Sequence, residues 1–277
     1  DAMVRRIFGE AGATVPIEEC VVGQEVSVFC LTDGTSVTRL VAACDYKRVF
    51  DGDKGPNTGG MGGYSPPPWW DDALEKQIRE TCIEPVVAQL AKEGKPYRGV
   101  LYGGVFLTGD GPVVFEFNAR LGDPEALNVL EILQSDFLPI CEGMATGTLS
   151  DCEVAFRPEA TVCKYVVPEG YGVQPRRDCR LVIDEERLAA SGASLFYAAV
   201  NQPPGGTLET TSSRAVAVVG SGATLAAAEA QCEAGLTGVS GRGLHVRHDI
   251  ATPPLLAQRV AHMRQLRGSR VVPTVGA

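Results

Sequence analysis

Positive charge is in short supply. The 277-residue chain sets 25 Lys+Arg against 34 Asp+Glu, a formal net charge of -9 at pH 7. Duplex DNA and anionic membranes are bound mainly through clustered cations, so this balance argues against both, and any anionic ligand must be held locally. No apolar run approaches the roughly 20 residues that span a bilayer, and the N-terminus lacks the basic-plus-apolar layout of a secretory signal. The chain reads as cytoplasmic, with neither nucleic acid nor membrane as a partner. Closely spaced cysteines are missing as well. The 9 cysteines are odd in number with no two nearer than ten residues, which excludes a CxxC metal or redox pair and gives no disulfide framework. Most read as small core residues. Of the 3 histidines, His245 and His248 lie on a short apolar segment and read as ordinary strand-end residues. Aromatics make up only 6%, yet 44% of residues are hydrophobic, enough for a sizeable core in one large domain or two ordinary ones.

What is present has an α+β texture. Residues 1–12 read as the end of a helix cut from something longer. An apolar stretch at 15–17, a strand at 25–31, an Asp33-Gly34 turn and a strand at 37–43 follow. Residues 45–68, rich in Gly and Pro, read as loop. From Asp72 an apolar face of Leu74, Ile78, Cys82, Val86 and Leu90 marks a helix that ends at Gly94, with Pro85 as a kink or break. Nearly all-apolar strands at 100–107 and 113–117 form a hairpin of buried central strands. A loop at 118–123 leads to a helix opened by Pro124, and a second helix runs from Asp136 to Gly147. Beyond residue 151 short strands at 161–167, 179–183, 195–200, 207–210 and 214–219 are separated by Pro/Gly turns, with one Ala-rich helix at 224–236. This divides the chain into 1–150, 151–251 and a helix plus loose tail at 252–277.

Three segments carry chemistry. Residues 55–66, GPNTGGMGGYSP, place five glycines in nine positions, which lets backbone N–H groups close on an anion. No Gly-Lys-Ser/Thr follows and no helix opens there, so it is neither a Walker A loop nor a dinucleotide turn. Asp45, Lys47, Arg48, Asp51 and Asp53 stand just upstream and suit a phosphate and polar substrate groups. In the second segment, 115–125, Glu116 and Asn118 lie two apart on a strand and share a face, while Phe115 and Phe117 point into a core. A carboxylate and an amide oxygen side by side suit Mg²⁺. Arg120 and Asp123 sit on the turn beyond, where a guanidinium can hold phosphate oxygens and a carboxylate can orient an amine. The third, 17–27, places acids at both ends of a short connection before a strand, a weak signal by itself.

In this order and spacing the segments resemble the glycinamide ribonucleotide synthetases (phosphoribosylamine–glycine ligases), ATP-grasp enzymes of purine biosynthesis. The resemblance rests on residues 45–48, 52–66, 99–102 and 116–125 and runs on more weakly to residue 251. It implies a large ATP-grasp lobe on a mostly antiparallel sheet, followed by a smaller α+β C-terminal domain. It further implies that ATP phosphorylates the glycine carboxylate and that the amine of 5-phosphoribosylamine attacks the glycyl phosphate. On that likeness Glu18 and Val21 match the adenine-side hinge, and Glu25 the acid that binds ribose hydroxyls. Glu116 and Asn118 match the ligands of Mg²⁺ or Mn²⁺, with Arg120 near the transferring phosphate. Lys47, Arg48, Asn57, Thr58, Gly59, Gly60, Met61, Gly62 and Asp123 match the site for phosphoribosylamine and glycine. Tyr46 stands where many members have His, and Ser212-Ser213-Arg214 where Gly-Gly-Arg is usual. An N-terminal α/β domain and the small lobe over the ATP phosphates would precede Asp1, as a segment in cis or a partner in trans, so the isolated chain is expected to be inactive. The alternatives are another ATP-grasp carboxylate–amine ligase or an inactive nucleotide-binding remnant.

Overall fold

A computed structural model describes residues 17–268. The helix end expected at 1–12, the start of the apolar stretch at 15–17 and the tail beyond 268 lie outside the described residues. The strand expected at 25–31 is β1, Gln24–Thr32. Its polar residues Glu25 and Ser27 alternate with Val26 and Val28, so one face is reserved for side-chain chemistry and the other for the core. Asp33 closes the next turn by accepting the N–H groups of Thr35 and Ser36 at 3.0 and 2.7 Å. The second strand, expected at 37–43, is displaced: Val37 makes only an isolated bridge to Thr32, and β2 spans Val41–Asp45.

Residues 45–68 are not loop throughout. They hold β3 (Arg48–Phe50), β4 (Lys54–Asn57) and β5 (Gly62–Ser65), and backbone pairing rather than side-chain alternation defines them. The helix expected from Asp72 to Gly94 is interrupted. α1 (Asp72–Ile78) and α2 (Glu84–Lys92) flank a π turn at Arg79–Ile83, where the Glu84 N–H reaches back to the Arg79 carbonyl. Pro85, which has no N–H to offer, stands in the first turn of α2. The hairpin of β6 (Gly99–Thr108) and β7 (Gly111–Asn118) lacks the second buried central strand expected, since β7 is the edge of its sheet and none of its residues is buried, but it follows in its expected place. So do α3 (Glu125–Glu131) after Pro124 and α4 (Phe137–Thr146) between Asp136 and a left-handed Gly147.

Beyond residue 151 come β8 (Ala160–Pro168), β9 (Arg180–Ile183), α5 (Glu185–Ser191) and β10 (Ser194–Tyr197). The chain continues through β11 (Val200–Asn201), β12 (Leu208–Thr210), β13 (Val216–Gly222), α6 (Leu225–Leu236), β14 (Val239–Ser240), β15 (Leu244–Val246) and α7 (Pro253–Arg267). The segment expected as one strand at 195–200 is split between β10 and β11, which belong to different sheets.

One nine-stranded sheet runs β10-β13-β8-β5-β2-β1-β6-β7, with β15 also on β8, and its pairs are antiparallel. The β5–β8 pairing carries the sheet across residue 150 without a break. A four-stranded sheet, β11-β12-β9-β14, and the β3–β4 hairpin stand apart from it. Register fixes two faces. Val26, Val28, Cys44, Tyr64, Val162 and Val218 belong to the main hydrophobic core under α1, α2, α6 and α7. Glu25, Ser27, Asp45, Gly63 and Tyr165 lie on the other face, which α3 partly covers. Among the described residues no helix is long and apolar enough to cross a membrane.

Candidate active site

Charged groups gather where β1 and β2 meet on the α3 face. Lys47 forms an ion pair with Glu25 and lies 4.0 Å from Asp45. Glu125, buried at the start of α3, accepts from Ser27 Oγ at 2.9 Å, and Ser27 in turn meets the Tyr102 hydroxyl at 3.0 Å. Burial first, and the nearby Glu125 carboxylate second, push the Asp45 pKa up to about 7, against the opposing pull of Lys47. Glu125 is raised as well, mainly by burial. Asp45 therefore exchanges its proton near neutrality, unlike an exposed carboxylate.

At the end of β7, Asn118 Nδ2 donates to Glu116 Oε1 at 3.0 Å, so the two side chains share a face as their spacing predicts. Arg120 adds a contact to Asn118 Oδ1 at 3.4 Å and donates to the Leu121 carbonyl at 3.0 Å. The aromatic neighbours depart from expectation. A β-bulge between the Gly104–Glu116 and Val105–Val114 pairs brings Phe115 onto the Glu116 side, against Phe106 at 4.7 Å between ring centroids. Phe117 is 37% exposed rather than core. A divalent cation fits the donor set: a carboxylate and an amide oxygen are hard ligands, and a half-turn of the Asn118 amide sets Oδ1 beside Glu116. No cluster of three or more His, Cys, Asp or Glu suited to a metal occurs among the described residues, so phosphate and water oxygens would complete the shell.

The glycine segment is a welded turn rather than an open nest. Thr58 N and Oγ1 both donate to the Lys47 carbonyl, at 2.7 and 2.8 Å, Met61 N donates to the Tyr46 carbonyl at 2.7 Å, and Tyr46 N to the Gly62 carbonyl at 2.9 Å. Asn57, Thr58 and Gly59 remain at least partly accessible. Met61 and Gly62 do not: the Met61 side chain is 0% exposed in the core, its carbonyl accepts from Tyr165 N, and Gly62 is a buried β5 residue against β8. The backbone bonds of both hold the sheet together. Gly60 (φ 119°) passes against Pro124, where a Cβ would meet Pro124 Cδ at 2.6 Å.

Arg214 ties this turn to Asp123. It donates to the Gly59 carbonyl at 2.8 Å, the Asp123 carbonyl at 3.0 Å and Asp123 Oδ2 at 2.9 Å, and stacks on Tyr165 at 4.8 Å. Tyr165 donates its hydroxyl to Asp123 Oδ1 at 2.8 Å. Both oxygens of Asp123 are thus engaged. The strand expected to begin at Arg214 begins instead at Val216, leaving Arg214 free to turn into this cluster.

Residues 1–126 match the ATP-grasp (A) domain of phosphoribosylglycinamide synthetase and residues 161–253 match its C domain. The chain belongs to the phosphoribosylglycinamide synthetase family. A phosphoribosylamine–glycine ligase of Methanoregula boonei is 43% identical over 93% of this chain, and one of Methanosarcina barkeri is 42% identical over 94%. The crystal structure of a Thermotoga maritima phosphoribosylamine–glycine ligase superposes with a TM-score of 0.78 at 30% identity, covering 89% of this chain and 61% of that one. A bacterial biotin carboxylase domain, at 18% identity and a TM-score of 0.53, shares the fold. The chain spans about 60% of the length of the Methanoregula relative.

Against this family background, Lys47 and Glu25 pair with each other and Asp123 with Arg214 and Tyr165 on the α3 face, and Glu116, Asn118 and Arg120 form a second group at the strand end. Arg48 points along its own hairpin, donating to the Gly55 carbonyl at 2.5 Å. Glu18 is exposed and Val21 half-buried on the coil before β1. Sequence reasoning did not assign Arg214, Tyr165 or Glu125. Arg214 and Glu125 were visible only as members of the matched strings, while Tyr165 sits in a strand that reads as plain core.

Proposed function

We propose that this chain carries the ligation half of an ATP-dependent synthesis of glycinamide ribonucleotide from glycine and 5-phosphoribosylamine through glycyl phosphate, with ADP and phosphate released. The observation that carries the reading is the Arg214 bridge, which holds the 57–60 turn and Asp123 together on the face that also bears Lys47 and Glu25. Lys47, Arg48 and the 57–60 turn supply cations and donors for a sugar phosphate. Arg120 neutralises charge on the phosphoryl group in transfer, where a fixed guanidinium acts without reorganising. Asp123 is held by Arg214 and Tyr165, so it orients the amine as an acceptor. Asp45, titrating near neutrality, takes the proton released when that amine attacks. Mg²⁺ or Mn²⁺ on Glu116 and Asn118 would screen the ATP phosphates, and Glu18, Val21 and Glu25 would line the nucleoside side.

The test is a chimera that joins the preceding part of the Methanoregula relative to this chain, assayed for ADP release. Release that requires both glycine and 5-phosphoribosylamine is expected. Release supported by another amino acid but not by glycine would assign the chain to a different carboxylate–amine ligation. The chain alone is expected to release no glycine-dependent ADP, because phosphates bound on one side only remain open to water.

A further inference from the structure

The tetrapeptide that carries Lys47 and Arg48 is gripped at both ends from far along the chain. Before Tyr46, Arg259 of α7 donates Nη2 to the Asp45 carbonyl at 3.0 Å. After it, Arg247, fully buried beyond β15, donates Nη1 to the Arg48 carbonyl at 3.0 Å. Between these bonds the Tyr46 ring is flanked by both guanidinium groups, Arg259 at 3.8 Å and Arg247 at 4.9 Å from its centroid. Arg247 is itself fixed by Asp249 at 2.8 and 2.7 Å and by Asp53 at 2.7 Å, and Asp249 accepts the Gly52 N–H at 2.7 Å. The Tyr46 hydroxyl is buried with no hydrogen-bond partner among the described residues, so stacking and packing fix the ring.

The pleat converts this grip into aim. Tyr46 points to the α7 face, so Lys47 is directed to the opposite one, where it meets Glu25. All four carbonyls of the tetrapeptide are engaged. Those of Tyr46 and Lys47 accept from Met61 and Thr58 of the glycine turn, while those of Asp45 and Arg48 accept from the two arginines. The turn and the tetrapeptide are thus joined by backbone bonds and held from outside by the two arginines.

We propose that Arg247 and Arg259 are positioning residues that set the Lys47–Arg48 pair and the 57–60 turn for binding the phosphate of the sugar-phosphate substrate. The ligand part of this inference rests on the functional reading above; the clamp does not. Two measurements on the 277-residue chain separate them. In hydrogen exchange, Arg259→Ala should speed the Tyr46, Thr58 and Met61 amides tenfold or more while β6 amides keep their rates. Unchanged exchange at those three amides would overturn the clamp, whatever the ligand. In titrations with ribose 5-phosphate, Arg259→Ala should weaken binding at least tenfold at temperatures where the variant is folded. Arg259→Lys, which keeps the charge but loses the planar stack, should lie in between, and the exposed Arg264→Ala should bind like the unsubstituted chain. A melting temperature that falls with affinity unchanged would make Arg259 merely structural and overturn the proposal. If the unsubstituted chain ignores ribose 5-phosphate while exchange responds as expected, the clamp stands and the substrate reading falls. Arg247→Lys supplies a second variant should Arg259→Ala fail to fold.

Discussion

Asp45 faces Glu125 and Glu25 with its side chain 9% exposed, and its pKa of about 7 exceeds the ordinary 3.8. A carboxyl raised by folding contributes stability that is fully present below about pH 4 and is lost as pH climbs through about 7. Asp45→Asn should therefore gain on the unsubstituted protein, by up to a few kcal/mol, as pH goes from 5 to 8, and paired thermal melts at the two pH values check the difference. The same substitution should flatten the pH–rate profile of the active chimera near neutrality. Arg120→Ala should lower turnover there by about 10²-fold, with little effect on melting, as expected for preorganised electrostatics of about 3 kcal/mol. Unchanged turnover with a lower melting temperature would make Arg120 structural. At this scale the sequence was legible where neighbours in the chain are neighbours in space, as for Glu116 and Asn118. It was silent where they are not: Ser27 lies 98 residues from Glu125, and Arg214 lies 91 from Asp123, separations at which no local periodicity operates.

Glycine-rich β5 shows why one element was missed. A strand is read from alternating apolar side chains, and Gly62 and Gly63 offer none. What they offer is close approach: a Cβ on Gly62 would lie 2.1 Å from the Cys163 carbonyl oxygen, and one on Gly63 2.8 Å from that of Cys44. Gly62→Ala should destabilise the protein by about 3 kcal/mol or more, because φ 143° adds strain to the overlap. Urea unfolding at fixed pH measures this, and a loss below about 1 kcal/mol would mean that β8 yields easily. The helices were easier. Apolar spacing found the α1–α2 segment and Pro85 flagged its interruption, but the form of that interruption depends on a backbone bond from Glu84 to Arg79 that no residue type announces.

Across the whole molecule, β5 joins strands on either side of residue 150 through four register pairs, Gly62–Lys164 to Ser65–Thr161. Unfolding should consequently be a single transition, with Trp69 and Trp70 fluorescence and backbone circular dichroism changing together in urea. Two separated transitions would show that the β5–β8 seam parts first. Composition revealed the change of texture near residue 151, yet it could not reveal that one sheet spans it, since pairing between distant strands leaves no mark in either. The arginine grip on the Asp45–Arg48 tetrapeptide spans 199 and 214 residues of chain. On a ribosome adding 5–20 residues per second, Arg259 is made roughly 10 to 40 s after the carbonyl it binds. For that interval a growing chain displays Lys47 and Arg48 without their final orientation, so under the proposed assignment capture of a sugar phosphate is deferred until synthesis has passed α7.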